Sequence, residues 1–183
     1  MKQARIFYAT REGQTEKVAL TLAAHLIGLG AAATTHNLRA NVETADLQKA
    51  DLLLFGASMH AGGLERELVD FINDQAAIIT QRPHAFFLVL LSAATADQAL
   101  REQSLSDAQG KVQQQLSVEF DDMEYIAGAL TYSKYSRPVR WIMRRIARQH
   151  GEDTDTRRDY EYTDWAEVRT YAERLNNTYL AAN

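Results

Sequence analysis

The chain has 183 residues, 46% hydrophobic and 24% charged, with a net charge of −4. This is a soluble globular composition, long enough for a sizeable core, and its acidic balance argues against general nucleic-acid binding. There is no cysteine, which excludes disulfides, thiolate chemistry and iron–sulfur ligation and fits a reducing compartment.

Met1-Lys2-Gln3 leads straight into an apolar run, Ala4–Ala9, the first predicted strand. No apolar signal segment is expected ahead of it. A helical pattern follows, with Val18, Leu22, Leu26 and Leu29 on one face, stopping at Gly28-Leu29-Gly30. Ala31–Leu38 is a weak second strand. Asp51–Gly56 is a short continuous apolar run, as expected of a strand buried on both faces. Leu64, Leu68, Phe71 and Ile72 mark an amphipathic helix. After Pro83, Ala85–Leu91 is the most apolar strand, and it is far too short to span a bilayer. Asp97–Leu116 is a polar, Gln-rich predicted helix, Tyr125–Leu130 a fifth strand, and Trp165–Leu180 a closing helix. The expected protein is cytoplasmic, with any membrane contact peripheral. Five strands alternating with helices predict one α/β domain, 1–183, built on a parallel sheet covered on both faces. Ligands in such sheets bind beyond the C-terminal strand ends, where strand order reverses.

The loop after the first strand is Thr10-Arg11-Glu12-Gly13-Gln14-Thr15. Hydroxyl side chains flank a glycine where a strand hands over to a helix. One reading is a phosphate cradle, with backbone N–H groups, the helix N-terminus and threonine hydroxyls converging on an anion. The other is an ordinary strand–turn–helix with an N-cap threonine. Beyond the third strand lies Ala57-Ser58-Met59-His60-Ala61-Gly62, and beyond the fourth Ser92-Ala93-Ala94-Thr95. Small residues there let backbone groups approach a flat ring, as a flavin requires; equally, they make tight turns. Three such loops at one sheet edge are more specific than any one of them.

The strand–TREGQT–helix resembles the flavodoxin phosphate loop, usually Thr/Ser-x-Thr-Gly-x-Thr, at Thr10, Gly13 and Thr15. Glu12 departs from that pattern. A carboxylate facing a phosphate repels it, so Glu12 is expected to turn outward, toward Arg11. More narrowly, the loop is similar to that of the flavodoxin-like, menaquinone-dependent protoporphyrinogen dehydrogenases of haem biosynthesis. Gly56-Ala57-Ser58, Ile126–Leu130 followed by Tyr132, and Glu152–Arg157 leading to Tyr162-Thr163-Asp164-Trp165 resemble the same family in matching order. The loop 59–63 and the segment after the fourth strand depart from it.

The resemblance implies a three-layer flavodoxin-like fold with a five-stranded parallel sheet of order 2-1-3-4-5. It also implies FMN, with its phosphate on Thr10–Thr15 and its ring bordered by residues 57–62 and 92–95. Porphyrinogen is then the substrate and a membrane quinone the acceptor. The alternatives are a flavodoxin-type electron carrier docking with protein partners, and a flavin-free scaffold.

Residues 134–163 form an appendage that a simple flavodoxin lacks. Lys134–Arg148 holds six of the chain's 20 Lys+Arg. Val139, Ile142, Met143 and Ile146 share one helical face; Arg140, Trp141, Arg144, Arg145 and Arg148 take the other. This extra basic helix reads either as a solvated surface helix or as a contact for anionic headgroups on the cytoplasmic face of the inner membrane, with Trp141 at interface depth. The arginines also suit the propionates of a porphyrinogen. His25, His36, His60, His84 and His150 show no metal-ligand spacing; His60 sits in a loop expected to border the flavin. Glu152, Asp153 and Asp155 fit a capped, salt-bridged turn better than a metal loop. No acid–base residue is assigned.

Overall fold

The computed structural model describes residues 1–40, 44–59, 63–149 and 154–181. Strands β1 (Gln3–Tyr8), β2 (Ala32–Asn37), β3 (Leu52–Ser58), β4 (His84–Leu90) and β5 (Asp122–Ala127) form one sheet of order 2-1-3-4-5. Every neighbouring pair is parallel, so the C-terminal ends of β1, β3, β4 and β5 share one edge.

The period-two alternation of the strands decides which layer each side chain enters. Ile6, Leu52, Leu54, Phe87 and Val89 pack against Val18, Leu22 and Leu26 of α1 (Gln14–Gly28) and Val168, Tyr171 and Leu175 of α6 (Trp165–Leu175). Phe7, Leu53, Phe55, Phe86 and Leu88 enter the opposite layer. There they meet Leu68 and Ile72 of α2 (Arg66–Asp74), Ile79 of α3 (Ala76–Ile79) and Ala108 and Val112 of α4 (Gln98–Gln115). Apolar residues on both faces of β3 and β4 are what made these strands readable as continuous runs. The Gln-rich helix α4 forms as expected; Asp97 caps it, its Oδ1 accepting the Leu100 N–H at 3.0 Å.

The fifth strand differs from expectation. It opens earlier, at Asp122, and closes at Ala127, while Ala129–Leu130 (β6) leaves the sheet to pair antiparallel with Tyr160–Glu161 (β7). Asp122 and Glu124 masked the start of the strand; they lie on an edge strand, where Arg174 pairs with them at 2.9 and 2.7 Å. The departure occurs at Gly128, whose N–H donates to the Leu90 carbonyl while its own carbonyl accepts from Tyr162.

The excursion continues through a tight turn (Tyr132–Lys134) and α5 (Arg137–Gln149) before returning at β7. It has its own small core of Leu130, Tyr132, Tyr135 and Ala147, flanked by Met143, Tyr160 and Tyr162. Among the described residues no helix is long and apolar enough to cross a membrane.

Candidate functional site

The loop between β1 and α1 is shaped by Gly13. It precedes the first helical residue with φ at 95°, a left-handed conformation that a β-carbon disfavours. Thr10 closes the loop: its hydroxyl accepts the Gly13 N–H at 2.9 Å. The expected alternative, a threonine N-cap, is not what forms, since no side chain caps α1. The first-turn N–H groups of the helix therefore lack an intrahelical partner, and among the described residues nothing else accepts from Gln14, Thr15 or Glu16. Thr15 is fully buried, and among the described residues its hydroxyl has no hydrogen-bond partner. A buried, unsatisfied hydroxyl beside unpaired amides is costly unless something polar fills the site.

The loop opens onto a cleft of about 460 Å³, part of it exposed to solvent. Thr10, Glu12, Gln14 and Thr15 line one end of it. Ser58 and Met59 come from the end of β3, Val89, Leu90 and Leu91 from β4, and Gly128 and Ala129 from the point where the chain leaves the sheet. Tyr135 and Met143 of the excursion complete the lining. The cleft is thus polar where the amides converge and mostly apolar along its length.

Not every expected residue reaches it. Arg11 turns to buried Glu65, with its Nε 2.8 and 2.9 Å from the two carboxylate oxygens. Ala57 is buried in the layer beneath α2 and α4. Residues 92–95 close a turn behind Leu91, with Ala93 and Thr95 buried. His60, Ala61 and Gly62 lie outside the described residues. The expected pairing of Glu12 with Arg11 does not occur. A buried carboxylate at Glu65 has the stronger claim on the guanidinium, and Glu12 is met by the excursion instead. Its Oε2 accepts from the Tyr135 hydroxyl at 3.1 Å, and its carbonyl accepts from Lys134 Nζ. Burial, with the nearby Glu12 carboxylate adding to it, pushes the Tyr135 phenol up to about 12, so it stays a donor at neutral pH.

The far end of the excursion is tied to the same loop. Gln14 Nε2 donates to Glu161 Oε1 at 2.7 Å and to Thr163 Oγ1 at 2.8 Å. On α5, Arg144, Arg145, Arg148 and Trp141 are exposed, Trp141 at 64%. Arg140 folds back, its Nη2 donating to the Tyr135 carbonyl at 3.3 Å. Met143 and Ala147 face inward; the side chains of Val139, Ile142 and Ile146 lie outside the described part. Near the excursion's end, Asp155 forms the expected salt-bridged turn. It accepts from Arg157 Nε at 2.9 Å, and the Arg157 guanidinium holds its carboxyl down to about 2. Glu152 and Asp153 lie outside the described residues.

A flavodoxin domain family model matches residues 5–157, a span that includes the phosphate-type loop, the ends of β3 and β4 and α5. A protein of Escherichia coli (strain K12) named protoporphyrinogen IX dehydrogenase [quinone] is 30% identical over 170 residues, covering 93% of this chain and 92% of the relative. The chain belongs to the protoporphyrinogen IX dehydrogenase family of flavodoxin-domain proteins. A Leishmania major relative of the same name is 27% identical, over 91% of this chain and 71% of its own. An oxidised flavodoxin 1 from Bacillus cereus superposes with a TM-score of 0.56 at 14% identity, across 97% of this chain and 99% of that one. At that identity the likeness carries the fold alone.

For a member of this family, sequence reasoning missed Val89, Leu90, Leu91, Gly128, Ala129, Tyr135 and Met143 as cleft residues. Gly128 carried a usable signal, being a glycine next to the end of the fifth strand. Tyr135 and Met143 carried none, because only the return of the excursion brings them to the cleft.

Proposed function

We propose that the chain is an FMN-dependent oxidoreductase that oxidises protoporphyrinogen IX and passes the electrons to a membrane quinone. The observation that carries this reading is the 30% identity to a protein so named across nearly the full length of both chains. The geometry supports it. The unpartnered Thr15 hydroxyl, the Thr10 turn and the free first-turn amides suit the phosphate of a flavin nucleotide. Met59, Val89, Leu90, Leu91 and Met143 offer an apolar wall for a flat ring, with Ser58, Gly128 and Ala129 within the same lining.

When bound, FMN supplies the redox chemistry. Thr10, Thr15 and the first-turn amides that Gly13 presents would hold its phosphate, the apolar wall would keep water from the ring, and the Tyr135 hydroxyl donates a hydrogen bond to the Glu12 carboxylate at that end of the cleft. Arg144, Arg145 and Arg148, with Trp141, form the surface that meets anionic headgroups or the propionates of the substrate. This keeps the protein peripheral on the membrane that holds the quinone. A carrier docking with protein partners is expected to show an acidic face and no such helix.

The test is to purify the protein, record its visible spectrum with and without added FMN, and assay quinone-dependent oxidation of protoporphyrinogen. Flavin absorbance with turnover is expected. A colourless protein that rejects FMN overturns the reading, and a flavin-loaded protein without turnover points to the carrier.

A further inference from the structure

We propose that Lys134, delivered by the excursion, is the counter-charge for the nucleotide phosphate at the 10–15 loop, so that the protein selects a phosphorylated flavin over riboflavin. The proposal rests on the flavin reading above. Lys134 stands 122 positions from Glu12 in sequence, yet its ammonium donates to the Glu12 carbonyl. It also lies 3.6 Å from where a β-carbon on Gly13 would sit.

Among the described residues three cations reach this loop, and two are committed elsewhere. Arg11 is spent on Glu65 at 2.8 Å. Arg39 donates to the Thr10 carbonyl at 3.2 Å and pairs with Glu67 at 3.3 Å. Lys134 rests on a neutral carbonyl, which cannot cancel its charge. Asp159 feels its field, but its carboxylate is turned to the Ser133 N–H and hydroxyl at 2.8 and 2.5 Å, and among the described residues it makes no ion pair with Lys134.

Glu12 gives the charge a purpose. Its carboxylate lines the cleft beside the unpaired amides, where it opposes a phosphate. An ammonium on the backbone of the same residue offsets that opposition. It has three donors, of which the Glu12 carbonyl takes one, and a flexible stem that lets the others turn to a phosphate oxygen. A phosphate monoester carries roughly −1.5 to −2 charges at neutral pH, whereas riboflavin carries none at that position.

The experiment uses the full chain stripped of flavin, with FMN and riboflavin titrated separately and followed by flavin fluorescence. In Lys134→Gln, FMN affinity is expected to fall roughly two- to fivefold at low ionic strength, the upper range for a partly exposed charge pair. The gap narrows in high salt as the charges are screened, riboflavin affinity is unchanged, and Lys134→Arg keeps FMN affinity. Equal FMN affinity in Lys134→Gln and wild type overturns the proposal. So does an equal loss of riboflavin, which would mean that the lysine supports the cleft rather than the phosphate. A wild-type protein that takes up neither flavin brings down the flavin reading itself, a result distinct from both.

Discussion

Gln14 and Thr163 are 149 positions apart, yet they share a 2.8 Å hydrogen bond in the protein interior. Thr163 Oγ1 accepts from Gln14 and donates to the Ala127 carbonyl at 2.6 Å. One hydroxyl therefore joins the first residue of α1, the end of β5 and the segment that returns from the excursion.

Thr163→Val keeps the shape and removes that hydroxyl. Gln14 retains Glu161, but the Ala127 carbonyl loses its side-chain donor in a partly buried setting. We expect a loss of about 1–3 kcal/mol, read as a lower urea midpoint with an unchanged slope. A midpoint equal to wild type would mean that this tie contributes nothing.

The contrast between β3–β4 and the Gln14–Thr163 tie shows what is legible in one dimension. Leu52–Phe55 and Ala85–Leu90 advertise burial on both faces through unbroken apolar runs, and the phosphate-type loop is six consecutive residues. Helices α4 and α5 are legible too, one as a polar, Gln-rich stretch and the other from its split of arginines and apolar residues. β5 was half hidden because Asp122 and Glu124 look wrong for a strand until Arg174 arrives from α6 to pair with them. The partners of Glu12 were invisible for a simpler reason. Tyr135 and Lys134 lie more than a hundred residues away, and no local pattern says where an excursion lands.

Gly56 offers a second test. A β-carbon there would sit 2.0 Å from Phe87 Cζ, and Phe87 is fully buried, with no room to swing aside. Gly56→Ala should cost about 1–3 kcal/mol or more through overpacking and should weaken FMN uptake, since the cleft residue Ser58 ends the same strand and Met59 follows it. Denaturation midpoint and flavin titration both report on it; a stability within roughly 0.5 kcal/mol of wild type is what an ordinary surface change gives and would mean the ring yields easily.

Tyr135 sets a prediction in alkali. Folding raises its phenol from 10.0 to about 12, chiefly through burial. The folded state then holds a proton that the unfolded state has released, so stability falls as pH rises between these values. The contribution is fully present below pH 10 and is lost as pH passes about 12. Tyr8 and Tyr171 are also raised, so wild type has a steep alkaline slope to begin with. In Tyr135→Phe that slope should be shallower by roughly one proton equivalent. Identical slopes would place the phenol in solvent rather than against Glu12.

The outer face of α5 makes the last prediction. Arg144, Arg145 and Arg148 are exposed beside Trp141, while Arg140 is bound to the Tyr135 carbonyl and is left out of the test. An anionic surface attracts each nearby arginine by about 1 kcal/mol, so three together are worth roughly a hundredfold in binding. Vesicles with anionic headgroups should sediment the wild-type protein. The triple variant Arg144/Arg145/Arg148→Gln should remain largely in the supernatant, and neutral vesicles should bind both weakly. Trp141→Ala should reduce binding to anionic vesicles without changing its salt dependence, because its contribution is apolar burial at the interface. If the triple variant sediments as well as wild type, the arginines are merely solvated, and the quinone must reach the cleft without help from this helix.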